Sequence, residues 1–457
     1  MHQPSPCLRL TAINPSRWTK KTHRRPWLIL GGLFLTALGV LGWLVAIHDD
    51  PPPDDAHLMP QWSERGGSAN PLAVFCSRLE HSRIHAHMYD VPIMVRQGFP
   101  AHTAEVQAVL DAHKREMEAF DILMGTDPRT WQWDIATSLE SAEAGSPSRY
   151  PIEGVGQMLR MRARSLGWQD RPGEGVEECL RLVRFAAGLQ NAEGQVQDLA
   201  TANSIRWLAE DGLQTVLTSP KATPEMVRLC LRELMAHPEP GPGAWQQAAR
   251  LDYARFKRYA SHITNAEMSR LLNPEPNALL PLYYKRNRTL ALKVPISTAR
   301  LKAASQGWRA LEQWEQANQL RFKSWSPPWD SKRVYLDPNF VGEAVFNGSE
   351  QRGILPPGFG QGFTLLRQTA LMLALRLHEL EKGNLPATLE ALIPAYLPDV
   401  PVDEFTDKPM LWNASREVLY STGEDVKDDG GDVIHMGPGM PPKDLGAVYW
   451  WSKHALR

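Results

Sequence analysis

Three histidines in one short segment could ligate a metal. His81, His85 and His87 stand together, with Asp90 just after them. Histidines four residues apart share a helix face, and neutral imidazole is a common Zn²⁺ ligand, so this spacing permits a zinc site. Two arginines flank the cluster and no second ligand group stands out, so a solvated helix face is the favoured interpretation.

Four aspartates near the C-terminus carry a different metal chemistry. Asp425, Asp428, Asp429 and Asp432 surround a Gly-Gly pair. Carboxylates at short spacing around glycines supply the hard oxygen ligands that Ca²⁺ takes. Aspartates alone more often form a solvated acidic loop, so that alternative stays open. Calcium is the one candidate cofactor.

Sequence signatures of nucleophilic or nucleotide chemistry are missing. The chain has no Gly-x-Ser-x-Gly, no His-Glu-x-x-His and no Walker loop. Catalytic residues assembled from distant positions would not show as a motif, so no catalytic residue is assigned. The sequence favours a non-enzymatic role.

An apolar run near the start predicts a membrane helix. Residues 27–47 contain no charge. At about 1.5 Å per residue the run just crosses a hydrocarbon core of about 30 Å. A cleaved signal peptide is the alternative, but its apolar part is shorter, about 7–15 residues. The lipid bilayer is therefore the first predicted partner.

Charges on the two sides of the run predict its orientation. Basic residues stay on the cytoplasmic side of a membrane helix. Those closest before the run are Arg17, Lys20, Lys21, Arg24 and Arg25, and the acidic residues that first follow it are Asp49, Asp50, Asp54 and Asp55. The prediction is a single-pass protein of the bacterial inner membrane, with a cytoplasmic N-terminus and a periplasmic bulk.

Composition limits the other partners. The 457 residues carry a net charge of -1, with 22% charged residues, which is an ordinary globular exterior. Nucleic acid is excluded as a partner because only the short N-terminal tail is strongly basic. Two of the four cysteines, Cys179 and Cys230, fall on apolar helix faces. A disulfide between them is possible in an oxidising compartment, but buried thiols are favoured.

Apolar spacing predicts a mainly helical chain. One predicted face is Val106, Val109, Leu110, His113, Met117 and Phe120, and a second is Val176, Cys179, Leu180, Val183 and Ala187. Thr223-Pro224 is a helix start, with a hydroxyl cap and a proline in the first turn. Further helices are predicted over 244–263 and 296–320. No fixed-period repeat supports a tetratricopeptide array.

These patterns divide the chain into six parts. They are a basic cytoplasmic tail (1–26), a transmembrane helix (27–47), a Pro/Asp-rich spacer that lifts the next domain off the bilayer (48–70), an all-helical domain (71–323), a linker (324–362) and a small α+β domain (363–457). The last begins with a helix whose apolar stripe is Leu366, Thr369, Ala370, Leu373, Ala374, Leu377 and Leu380, ending near Gly383. Short β-prone segments follow around 409–412 and 418–421.

The C-terminal part carries a series of matching motifs. They are Gly383-Asn384-Leu385-Pro386-Ala387-Thr388-Leu389, Tyr396-Leu397-Pro398-Asp399-Val400-Pro401-Val402-Asp403, Lys408-Pro409-Met410-Leu411-Trp412, Tyr420-Ser421-Thr422-Gly423-Glu424-Asp425 and Asp428-Asp429-Gly430-Gly431-Asp432. This series resembles the globular domain of the major pseudopilins of type II secretion, in a version found as the tail of uncharacterised membrane-anchored bacterial proteins. The resemblance implies a fold, and it implies calcium in the acidic loop. Arg367 stands where that family has an acidic residue.

Together these patterns predict a non-catalytic, membrane-anchored envelope protein. Its role would be protein–protein interaction or assembly, with a possible place in secretion and with envelope partners that the sequence does not identify. The alternative is a periplasmic hydrolase with a site between helices of the helical domain.

Overall fold

Helices make up most of the regular structure, as the apolar spacing predicts. The computed structural model describes residues 25–60, 70–98, 100–133, 149–272, 280–323, 337–350, 359–423, 425–433 and 444–448. The helices in these ranges are α1 (Arg25–Ile47), α2 (Pro71–Leu79), α3 (Ile84–Asp90), α4 (Ile93–Arg96), α5 (Thr103–Ala112), α6 (Lys114–Met124), α7 (Arg149–Trp168), α8 (Pro172–Asn191), α9 (Val196–Val216), α10 (Pro224–Ala236), α11 (Pro242–His262), α12 (Asn265–Leu272), α13 (Arg286–Ala304), α14 (Trp308–Lys323), α15 (Phe340–Glu350) and α16 (Phe359–Lys382).

Helix α1 covers the apolar run, and its described apolar side chains are exposed. Among the described residues, which in α1 include only the side chains of 29–40 and 42, no helix is long and apolar enough to cross a membrane.

Helices α7, α8 and α9 pack against one another and form the main core. The predicted apolar face of α8, from Val176 to Ala187, is buried throughout. Phe185, also on α8, lies in the same core. Its ring centroid is 5.2 Å from that of Phe120 and 6.0 Å from that of Trp131. Gly188 is required beside this cluster, because a Cβ there would lie 2.3 Å from the Trp131 ring.

One helix start and one helix break test the sequence patterns further. The Thr223 hydroxyl accepts a hydrogen bond from the Met226 N–H and so caps α10, as predicted. The helix predicted over 296–320 is wrong as one element. It is split into α13 and α14 at Gly307, whose φ of +107° is left-handed and ends the helical path.

Residues 48–60, in the stretch predicted as a Pro/Asp-rich spacer, contact the helical body. The Asp55 carboxylate accepts a hydrogen bond from Tyr253 at 2.6 Å and pairs with Lys257. Leu58 is buried, and His57 contacts Thr298 on α13 at 2.8 Å. The sequence did not predict these contacts, in which acidic side chains of the segment bind cations and donors on α11 and α13.

The predicted linker also contains a helix. Within 324–362, the described residues 340–350 form α15, whose Val341, Val345 and Phe346 side chains are buried. Val341 and Val345, four residues apart, lie on one buried face of α15. Residues 340–350 of the predicted linker are therefore a packed helix.

The C-terminal part adds a small sheet to a long helix. Strands β1 (Leu411–Asn413), β2 (Val418–Ser421) and β3 (Leu445–Val448) form an antiparallel sheet in that order, with Leu411 opposite Tyr420 and Tyr420 opposite Gly446. The first two strands were predicted and the third was not. The apolar stripe of α16 packs on α9 and α10, so one hydrophobic core extends from Leu72 to Leu419.

Candidate functional site

A chain of polar side chains joins α3 to the junction of α5 and α6. His87 Nδ1 lies 2.7 Å from His113 Nε2, and His113 Nδ1 lies 3.4 Å from Glu116 Oε1. The Ser82 hydroxyl donates to the same Glu116 oxygen at 2.6 Å. His113 is buried, whereas His87 is half-buried and reaches solvent.

The local fold explains how His113 reaches this position. The predicted face from Val106 to Phe120 is buried apart from the partly buried Val109, but the helix is interrupted at His113, where φ is −117° and ψ is 27°. His113 therefore ends α5 and precedes α6, and its ring turns toward α3. The apolar spacing placed His113 among core residues and did not predict this role. The sequence signal for this role was Glu116, three residues after His113, which can accept a hydrogen bond from the imidazole.

The acceptor at one end fixes the order of protons in the chain. Burial alone would raise the pKa of Glu116, but hydrogen bonds from Ser82 and His113 outweigh it and lower the pKa. Since Glu116 is then an acceptor, His113 Nδ1 carries the proton that points to it. His113 Nε2 then accepts from His87 Nδ1, and the lone pair on His87 Nε2 has no hydrogen-bond partner in the described part of the chain. This arrangement can support general base chemistry at His87.

The other two predicted zinc residues, His81 and His85, lie outside the hydrogen-bonded series of His87, His113 and Glu116. His81 is exposed in the turn before α3, so it does not share a helix face with His85, contrary to the prediction. His85 is half-buried, and burial lowers its pKa. Of the three predicted histidines, His87 is the one that bonds to His113 in the described part of the chain.

The acidic loop is organised by hydrogen bonds. Asp428 accepts from Tyr420 at 3.1 Å and from the Gly430 N–H at 2.8 Å, and Asp429 pairs with Lys427 at 2.8 Å. The N–H groups of Gly431 and Asp432 donate to Asp444, which is fully buried and was not among the predicted residues.

The predicted metal sites are not preformed in the described chain. Over those ranges no three His, Cys, Asp or Glu side chains are grouped to hold a metal ion. As placed, Asp428 bonds to Tyr420 and Gly430, and Asp429 pairs with Lys427. Calcium at Asp425, Asp428, Asp429 and Asp432 stays a prediction. A higher melting temperature with the ion, lost in an Asp428→Ala, Asp429→Ala variant, would support it.

A buried ionic cluster connects three other helices. Glu350 is 0% exposed and pairs with both Lys293 and Arg300, and Arg300 pairs with Glu315 at 2.5 Å. Asp252 contributes a buried Oδ2 with no hydrogen-bond partner among the described residues, and burial raises its pKa to about 6. The ion pairs of Glu350 with Lys293 and Arg300, and of Arg300 with Glu315, indicate a structural role in holding α13, α14 and α15 together.

Another buried carboxyl, that of Glu210, lies where α9 meets α16. Glu210 accepts from Arg206 at 2.9 Å, and burial raises its pKa to about 7 despite that partner. Nearby, Gln214 donates to Thr369 of α16 at 3.1 Å. The contact between the helical part and the C-terminal part therefore contains a group that titrates near neutral pH.

No family model matches the chain, and neither a curated protein nor a solved structure matches it. The pseudopilin resemblance of residues 383–432 stays a prediction from the sequence.

Proposed function

We propose that this chain is a single-pass membrane protein whose helical body is held at the membrane surface and acts in binding or assembly. The observation that carries the proposal is the surface of α1. Ile29, Phe34 and Leu35 are 63%, 65% and 70% exposed. A helix this apolar is stable in water only when covered, and lipid covers every face of it at once.

The connection to the body supports a role at the membrane surface. Two residues after α1 ends, Asp49 and Asp50 bind the first turn of α13, and Asp50 pairs with Arg288 at 3.0 Å. A docked connection holds the body close to the end of the helix. The body would therefore present a defined face to the bilayer and to partners there.

The placement of α16 favours assembly through the outer surface of the body. Arg367 pairs with Glu239 at 3.0 Å and with Glu404, so it fixes α16 to the loop after α10. Leu371, Leu373 and Leu375 are fully buried in the body. A helix held in this way is not free to enter a filament as a pilin helix does. The tail acts as a packing unit of this chain.

A pair of topology reporters tests the proposal. One fusion at the C-terminus is active only in the periplasm, and the other only in the cytoplasm. We expect activity from the periplasmic reporter alone, since basic residues precede α1. Activity from the cytoplasmic reporter alone would contradict the proposed topology. Replacing Arg17, Lys20, Lys21, Arg24 and Arg25 by asparagine serves as the control, because it removes the orienting charge.

One observation favours a second candidate, an envelope hydrolase. The Glu116–His113–His87 chain leaves His87 Nε2 as a base at the surface, oriented by a carboxylate through a neutral imidazole. Activity profiling of the full chain tests it with His87→Ala and Glu116→Gln, and with His81→Ala as the matched control. Loss in the first two and retention in the control would favour the enzyme. Equal activity in all three would exclude His87 as its base.

A further inference from the structure

Two arginines share a single carboxylate between α7 and α9. Arg160 and Arg164 stand one turn apart on α7, and both reach Asp211 Oδ2, at 3.1 and 2.9 Å. The three side chains are 11%, 14% and 26% exposed. Within the described ranges, no other acidic side chain forms an ion pair with either arginine.

This arrangement leaves a positive charge unmatched. Two guanidinium groups against one carboxylate give a net charge of +1 in a mostly buried place, where an unpaired charge is costly. The Nε atoms of Arg160 and Arg164 are buried and have no hydrogen-bond partner in the described chain. Burial lowers the pKa of Arg164, and Arg160 adds to that effect while Asp211 opposes it.

An exposed aromatic ring lies beside the arginines. The Arg160 guanidinium carbon is 6.0 Å from the centroid of the Trp207 ring. Trp207 stands one turn before Asp211 on α9 and is 40% exposed. A tryptophan face next to a cation offers a stacking surface to a planar group.

We propose that Arg160, Arg164 and Trp207 bind a small carboxylate that carries a planar ring. A carboxylate has the single negative charge that balances the site, and its two oxygens match the planar fork of a guanidinium. The ring of the ligand would stack on Trp207. The site goes beyond the proposed anchoring function and does not depend on it.

Three small probes separate the parts of this proposal. Benzoate carries both ring and charge, acetate carries the charge alone, and benzamide carries the ring alone. Binding to the full-length chain in detergent is measured by ligand-observed NMR. We expect benzoate to bind, acetate to bind more weakly and benzamide not to bind. Phenyl phosphate that binds more tightly than benzoate would overturn the choice of a carboxylate.

Substitutions assign the binding to these residues. Arg160→Gln should weaken benzoate at least about tenfold, because a charge-assisted hydrogen bond is lost. Trp207→Ala should reduce the affinity for benzoate to that for acetate. Trp168→Ala is the matched control, because Trp168 is also 40% exposed, and it should leave benzoate binding unchanged.

A second variant, with the opposite expected effect on benzoate affinity, tests the proposal if Arg160→Gln does not fold. Asp211→Asn raises the local charge from +1 to +2, so benzoate should bind severalfold more tightly and raise the melting temperature more than in the natural chain. No benzoate binding to the natural chain, or equal binding in all variants, would overturn the proposal.

Discussion

The carboxylate of Asp49 accepts a hydrogen bond from the backbone N–H of Asn287 at 2.7 Å, across 238 residues of sequence. It also accepts from the Arg288 N–H at 3.2 Å. These are the second and third N–H groups of α13, whose own N-cap residue, Lys285, provides no side-chain cap. The Asp49 side chain, from the segment that follows α1, therefore caps the N-terminus of α13 in place of Lys285.

Removal of this cap should destabilise the body. Asp49→Ala is expected to lower the free energy of unfolding by about 1 kcal/mol, as for other N-cap losses. Asp54→Ala, at an exposed position of the same segment, is the control. Thermal unfolding followed by circular dichroism should show a lower midpoint for the first variant only. Equal midpoints would mean that the cap contributes nothing.

Glu210 should make stability depend on pH. Its pKa of about 7 in the folded chain lies above the ordinary value of 4.5. At a pH between these two values, the folded state holds a proton that the unfolded state has released. Stability should therefore fall as pH rises from about 4.5 to 7, and level off above it. Asp252, with a pKa of about 6, acts in the same direction.

Glu210→Gln separates the two contributions. Urea unfolding at several pH values should give a smaller decrease of stability with pH than in the natural chain, and higher stability at pH 8. Glu118→Gln, in an exposed surface pair, is the control and should keep the full slope. An unchanged slope in Glu210→Gln would show that this carboxyl does not titrate in the window.

The sequence could predict what depends on neighbouring residues. Apolar periodicity alone placed the buried face of α8, and Thr223-Pro224 gave the start of α10, because both signals are local. The capping of α13 by Asp49 was not predictable, since a segment rich in proline and aspartate has the composition of a free linker. The His87–His113 contact joins separate helices, so sequence spacing does not show it.

The buried cysteines should behave as thiols. Cys179 and Cys230 are free in the structure, in agreement with the favoured prediction. Burial raises the pKa of Cys230 to about 12, and it raises that of Cys179 well above its usual value. In a Cys7→Ser, Cys76→Ser chain, a thiol reagent should not react at pH 8 until denaturant is added. Two thiols should then react without reductant, whereas none would react if a disulfide were present.

The Glu350 cluster should be sensitive to loss of one partner. Glu350→Gln leaves Lys293 and Arg300 buried without their shared carboxylate, so we expect a loss of about 3 kcal/mol or more in denaturant unfolding. Glu350→Met combined with Lys293→Met should recover part of it. A small loss in the single variant would indicate that water or a rearranged side chain replaces the pair.

Membrane attachment through α1 is tested most directly by alkaline carbonate extraction of membranes that contain the full chain. We predict that the protein stays in the membrane pellet. A Leu33→Arg, Leu35→Arg variant should be released, because each arginine in the middle of a membrane helix costs about 2.5 to 3.5 kcal/mol. Recovery of the natural chain in the supernatant would contradict the account.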